Sequence, residues 1–241
     1  MGVSLIDATA DLLFQGACPG CGLPGHGICA LCRRAVMSGS VGPRERVGID
    51  VPLWSAGDYT EPLPRVISGA KDHHTGDVID LLGVRLAFAV AGLADAARPA
   101  GPGVLVPFPS SAATVRERGL DVTFALARSA ARRLGRVGLV VTVRPLLTHA
   151  RAVRDQGRLS SEERYRNLAG SLRARDREAA GWIILVDDVV TTGASLREGI
   201  RALRSAGITP AGAATIGATI LRHDVRPGAV RYPFRPTQAN V

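Results

Sequence analysis

Residues 182–196 read WIILVDDVVTTGASL, and this stretch decides the fold. The apolar run from Trp182 to Val186 has the length and composition of a strand buried on both faces. Two adjacent carboxylates follow, Asp187 and Asp188, then Val189, Val190, Thr191, Thr192, Gly193, Ala194 and Ser195. From Ala194 the apolar spacing becomes helical, with Leu196, Ile200 and Leu203 on one face and Gly207 as the stop. A short loop feeding a helix N-terminus offers backbone N–H groups and the positive end of a helix dipole, a combination that binds phosphate. Carboxylates at the entrance of the same loop can accept hydrogen bonds from vicinal hydroxyls. A loop that holds phosphate at one end and a diol at the other suits a ribose 5-phosphate. The plainer alternative is a strand-to-helix turn with an Asp cap, which would constrain far fewer positions.

The string resembles the phosphoribosyl pyrophosphate (PRPP) loop of type I phosphoribosyltransferases: an apolar strand, two acids, two variable residues, then Thr-Thr-Gly-x-Ser. The rest of the chain is consistent with such a fold. Strand-like runs at 53–59, 104–106, 139–143, 183–186 and 211–220 alternate with helical patterns at 63–73, 78–97, 121–134, 160–168 and 194–206. That alternation predicts an α/β fold with a parallel sheet and helices on both faces. A further amphipathic helix is expected over 3–15, a linker over 33–50 and a loose tail from 226. The expected organisation is an N-terminal module over 1–45, a phosphoribosyltransferase-like domain over 46–225 and a tail over 226–241.

All four cysteines of the 241 residues lie together as Cys18-x2-Cys21-x7-Cys29-x2-Cys32. Two C-x-x-C knuckles with glycines between them match a structural Zn2+ site of four thiolates, closed to chemistry. A redox dithiol, a disulfide pair, or a metal-free, buried or iron-bound cluster is the alternative, and His26 could stand in for one thiolate. Being far from residues 187–195 in sequence, the cluster is expected to affect the N-terminal module more than the ribose phosphate site.

The net charge is +9, and Lys71 is the one lysine, so the basic residues are almost all arginine. Such a surface favours anionic partners, nucleotides or a nucleic-acid backbone. Residues 144–177 carry nine arginines against four acids, without the interleaved aromatics of single-strand stacking platforms. The N-terminus has no basic region before its apolar residues and carries Asp7 and Asp11, which argues against a signal peptide. Residues 81–97, the most membrane-like, contain Arg85 and Asp95. A cytoplasmic protein without membrane insertion is expected.

Further positions suit pyrophosphate. The run 104–111, VLVPFPSS, brings Pro107 and Phe108 to the carboxyl end of a strand, where ligands gather in open α/β sheets. Arg116 and Arg118 follow in a turn that is otherwise a solvated surface feature. Lys71 ends a helical pattern and either reaches a phosphate or is solvated. The polar span 148–167 is either disordered or a loop that closes over substrate.

In this order the pieces resemble the ComF family of competence-associated, phosphoribosyltransferase-like proteins, from about residue 5 to residue 221. The resemblance rests on the cysteine cluster, Tyr59 through Lys71, the V-P-x-P run, Arg116 with Arg118-Gly119, then Gln156, Leu159, Arg164, Asn167 and Gly170, and the DDVVTTGAS loop. Where the family continues R-G-F-N-Q, this chain has Arg118-Gly119-Leu120-Asp121-Val122. The resemblance implies a type I phosphoribosyltransferase fold, PRPP binding with Mg2+, and a link to DNA uptake and natural competence. It implies that Asp187 and Asp188 hold the ribose diol and steady the charge at the anomeric carbon, while residues 189–195 fix the phosphate. Two readings follow. One is an enzyme transferring phosphoribose to an unidentified acceptor. The other is a non-catalytic adaptor binding single-stranded DNA or DNA-uptake and recombination proteins.

Overall fold

The apolar run at 182–186 lies near the middle of a six-stranded sheet. The computed structural model describes residues 16–72, 76–151, 166–175 and 181–221. In chain order these form α1 (Ala30–Met37), β1 (Gly42–Arg44), β2 (Leu53–Ser55), α2 (Leu63–Asp72), α3 (Gly76–Ala97), β3 (Gly103–Pro107) and α4 (Ala112–Arg118). Then come α5 (Val122–Arg136), β4 (Val141–Val143), β5 (Leu147–His149), β6 (Leu172–Ala174), β7 (Trp182–Val190), α6 (Ala194–Ser205) and β8 (Gly212–Ala218). The sheet order is β1-β2-β8-β7-β3-β4, while β5 and β6 pair as a separate antiparallel ribbon. The expected helix over 3–15, the start of that over 160–168, most of the span 148–167 and the tail 226–241 lie outside the described residues.

Every pairing in the large sheet is parallel except β1 with β2. The expected parallel sheet is therefore a mixed one with an antiparallel edge. That edge comes from residues read as linker. Pro43 sits in β1, and an edge strand tolerates a residue that cannot donate to the ladder.

Two buried clusters cover the two faces, and β7 supplies both by alternation. Ile184 and Val186 join Leu82, Leu86, Val90, Leu126 and Ile216 on the side of α2, α3 and α5. Ile183 and Leu185 join Leu196, Ile200 and Leu203 of α6 on the other. This is the period-two pattern of a strand covered on both faces.

The connections place a crevice. From β3 the chain runs through α4 and α5 to β4 on one side, and from β7 through α6 to β8 on the other. The two directions diverge between β3 and β7. Ligands bind at such switch points, beyond the carboxyl ends of the strands. Here those ends are Pro107 and Val190.

The hairpin β5–β6 was not foreseen, and a buried acid anchors it. Glu198 of α6 is 4 % exposed and accepts from Gly170 N (3.0 Å), Leu172 N (2.8 Å) and Arg201 Nε (2.8 Å). Burial alone would raise its pKa, but Arg201 and the two amides outweigh that and hold it below the ordinary value. The folded state thus gains from ionised Glu198 above the unfolded pKa of about 4.3, and loses that gain as pH falls through the lowered value. Glu198→Gln should cost about 2 kcal/mol at pH 7, with the gap to wild type closing below about pH 4. Urea midpoints across pH measure this, and a gap that ignores pH would refute it.

Candidate functional site: the acidic pair, its loop and the cysteine cluster

Strand β7 does not stop at Val186. It continues in register with β8 through Asp187↔Thr215 to Val190↔Ala218, so the acids sit on strand and the turn is confined to 191–193. Alternation then sends the two carboxylates to different sides. Asp187 follows Ile183 and Leu185 and lines a small concavity, about 20 Å3, formed by residues 189–196. Asp188 follows Ile184 and Val186, and its Oδ2 is ion-paired with Lys71 Nζ from the end of α2. Each carboxylate also accepts from the next residue's amide: Asp188 N to Asp187 Oδ1 (2.9 Å), Val189 N to Asp188 Oδ1 (2.7 Å).

Burial, and after it the charge of Asp188, pushes the Asp187 carboxyl well above the ordinary range. Burial disfavours the Lys71 ammonium, but Asp188 and Asp187 outweigh it, and its pKa is raised. Tyr59 stands within reach of both charges, and burial followed by Asp188 raises its phenol. A shifted acid–base cluster at the carboxyl end of a central strand is a functional-site signature.

The loop itself is built to present amides. Gly193 has φ +82°, and a Cβ there would stand 2.9 Å from Ile49 Cδ1, so both backbone and space call for glycine. It starts α6 with no side-chain cap. The first intrahelical bond of this end is Arg197 N to Gly193 O (2.9 Å), which leaves the first-turn amides facing outward. A buried arginine from the expected linker organises the turn. Arg46 Nε donates to Thr191 O (2.7 Å), and Arg46 Nη2 donates to Thr219 O. In a trans peptide the N–H points away from the C=O, so fixing the Thr191 carbonyl on Arg46 turns the Thr192 N–H away from it. No sequence pattern marked Arg46, whose partners Thr191 and Thr219 lie 145 and 173 residues away.

Residues 107–109 lie beside this site: Phe108 N donates to Val186 O (2.8 Å). His149 of the hairpin reaches over them, Nε2 to Pro109 O at 3.0 Å, with its ring edge-on to Phe108. None of Lys71, Pro107, Phe108, Arg116 or Arg118 lines the 189–196 concavity. Arg116 and Arg118 occupy the last turn of α4, with Arg116 exposed. The turn expected at 116–119 is thus the end of a helix capped by Ser111 and ended by Gly119. The altered turn has a structural use, since Asp121 caps α5 through Phe124 N and accepts from Ser110.

The four cysteine sulfurs lie within 4.8 Å of one another, with Cys21 Sγ and Cys29 Sγ 3.8 Å apart. A tetrahedron with metal–sulfur bonds of about 2.3 Å has edges of about 3.8 Å, so one zinc ion fits among them. Cys29 Sγ also caps α1 through Cys32 N, which is why a helix begins where no Ser, Thr, Asp or Asn announces one. Residues 33–37 are thus helix rather than linker.

Remote in sequence, the cluster is not remote in space. Cys18, Cys32 and Val36 share a buried cluster with Leu63, Val66 and Ile67 of α2. Pro19 lies against Gly69, where an added Cβ would come within 2.4 Å. Asp77 of α3 accepts from Ile28 N (3.1 Å). The helix that carries Lys71 to Asp188 therefore rests on the cysteine knuckle.

No family model matches the chain. It is similar to the DNA utilization protein YhgH of Salmonella typhi and to that of Salmonella typhimurium strain LT2. Each is 28 % identical over 197 residues, covering 82 % of this chain and 82 % of the relative. This similarity and the four-cysteine cluster fit a ComF-like protein. Among the described residues, no helix is long and apolar enough to cross a membrane.

Proposed function

We propose that the chain is a phosphoribosyltransferase-like protein that binds PRPP or ribose 5-phosphate with Mg2+ and serves DNA uptake. The observation that carries this reading is the concavity at 187–196, with a buried carboxylate at one end and an uncapped helix N-terminus at the other. The first-turn amides of α6 take the 5-phosphate. The carboxylates accept from the ribose hydroxyls, with Lys71 holding the Asp188 carboxylate in place. Their hard oxygen donors suit Mg2+, which would neutralise pyrophosphate charge when bound. Rate, if the protein turns over, comes from positioning and electrostatics. The link to DNA is supported by the relatives' naming for DNA utilization. Isothermal titration with PRPP and Mg2+ tests the ligand. Saturable binding supports the reading, and no heat at millimolar PRPP defeats it.

The basic span 144–177 supports the second reading, an adaptor that contacts single-stranded DNA. Such binding should be sequence-tolerant and should weaken by at least about tenfold between 50 and 200 mM salt, because counterion release dominates. Fluorescence anisotropy with two unrelated oligonucleotides reads this out. Salt-insensitive affinity, or a strong preference for one oligonucleotide, would count against an electrostatic interface.

A further inference from the structure

A second concavity opens where the end of α1, the 38–40 turn and the start of α2 meet, about 660 Å3 of space partly open to solvent. It shares no residue with the 187–196 site. Its wall includes Ser38, Ser40, Asp58, Thr60, Glu61 and, from α3, Arg85.

Arg85 is only 3 % exposed. Its Nη2 donates to two carbonyls, Ala56 O (3.0 Å) and Ile216 O (3.3 Å). Its Nε is buried without a partner. Among the described residues no carboxylate lies within ion-pair distance of it. The two acids at the rim are engaged elsewhere: Asp58 with Arg44 at 3.1 Å and Glu61 with Arg65 at 3.3 Å. Burial lowers the Arg85 pKa to about 10, with the charge of Asp58 working the other way, so it remains a cation at neutral pH. Two carbonyl dipoles offset part of the cost of burying that cation, but a counter-charge is missing.

We infer that this concavity binds the carboxylate of a small organic acid, with Arg85 as the anchoring cation. With Nη2 held by two carbonyls, Nε–H and Nη1 remain to donate to a carboxylate, and a single unbalanced charge calls for a monoanion. A dianion such as phosphate would meet the two rim acids, whose charges are compensated but still close. Without the open solvent its cavity volume is about 270 Å3, room for a ligand of a few heavy atoms rather than only a bare ion.

The test uses the full chain labelled with 15N-arginine, following the Arg85 Nε–H resonance, assigned through Arg85→Lys. Benzoate is titrated against its neutral isostere benzamide and against inorganic phosphate. Benzoate should shift that resonance saturably with a Kd on the order of 1 mM, the scale for about nine heavy atoms bound at ordinary efficiency. Benzamide and phosphate should be at least about tenfold weaker. Thr60→Trp narrows the mouth without touching Arg85 and should weaken benzoate by about tenfold or more, with the fold unchanged. That variant decides the matter even if Arg85→Lys fails to fold, since benzoate affinity of the wild type and of Thr60→Trp can then be compared by calorimetry, without any assignment. Benzoate without a saturable shift, an equal response to benzamide or phosphate, or indifference to Thr60→Trp would each overturn the inference.

Discussion

Cys32→Ser should lose the zinc ion, destabilise the fold by about 4 kcal/mol or more, and weaken PRPP binding by about tenfold as well. The first two effects follow from a closed tetrahedral site whose ligands are ordered by the metal. The third follows from packing. Cys32 is 7 % exposed and belongs to the same cluster as Val66, and Pro19 seats on Gly69 of α2, two residues before Lys71. Without metal the knuckle can no longer brace α2, and Lys71 loses its fixed approach to Asp188. Metal analysis, urea unfolding and titration calorimetry read the three quantities separately. Zinc near zero in the wild-type protein would defeat the metal assignment. Loss of zinc with unchanged PRPP affinity would show instead that α2 holds its place through α3 alone, as the wide spacing in sequence first implied.

That contrast shows what a sequence makes legible. The 182–196 stretch carried its own context, because strand, turn and helix are consecutive and each has a local signal: an apolar run, glycine, and a helical period. The C-x-x-C pairs are likewise local, and their sulfurs do converge. What escaped was held by long-range partners. Arg46 looked like one of many arginines in a glycine-rich stretch, and only the fold brings it to the Thr191 carbonyl. Glu198 was not singled out within the helical pattern at 194–206, yet it fixes the hairpin through amides 26 and 28 residues upstream. Helix α1 starts on a cysteine cap, and β1 consists of Gly42, Pro43 and Arg44, a composition no propensity would assign to a strand. The extent of β7 was misjudged for a related reason. Asp is disfavoured in strands, so the acids read as loop, whereas pairing with Thr215 and Gly217 extends the ladder past them.

The extended β7 sharpens what the acidic pair should do when changed. Asp187→Asn with Asp188→Asn should weaken Mg2+-dependent PRPP binding by at least about tenfold, or about 1.4 kcal/mol. Carboxylates accept at both oxygens, whereas an amide accepts at one and donates at the other. Ribose 5-phosphate should lose affinity too, and inorganic phosphate should change little, because the amides of α6 are untouched. The single variants should separate. Asp187→Asn should also stabilise the fold at neutral pH by about 1–2 kcal/mol, since it removes a buried carboxylate repelled by its neighbour Asp188 while keeping an acceptor for the Asp188 amide. The sign follows from linkage. A carboxyl whose folded pKa is raised contributes fully below its unfolded pKa of about 3.9, and that contribution is lost as pH rises through the folded value. The advantage of Asp187→Asn should therefore grow from about pH 4 upward. Asp188→Asn should show no such gain, because it leaves the Lys71 ammonium without its carboxylate partner. Denaturant midpoints across pH, paired with calorimetry, check both halves. A residue that costs stability while supporting ligand affinity is what a binding site retains, and its opposite, Asp187→Asn binding PRPP as tightly as wild type, would move the functional reading to the adaptor.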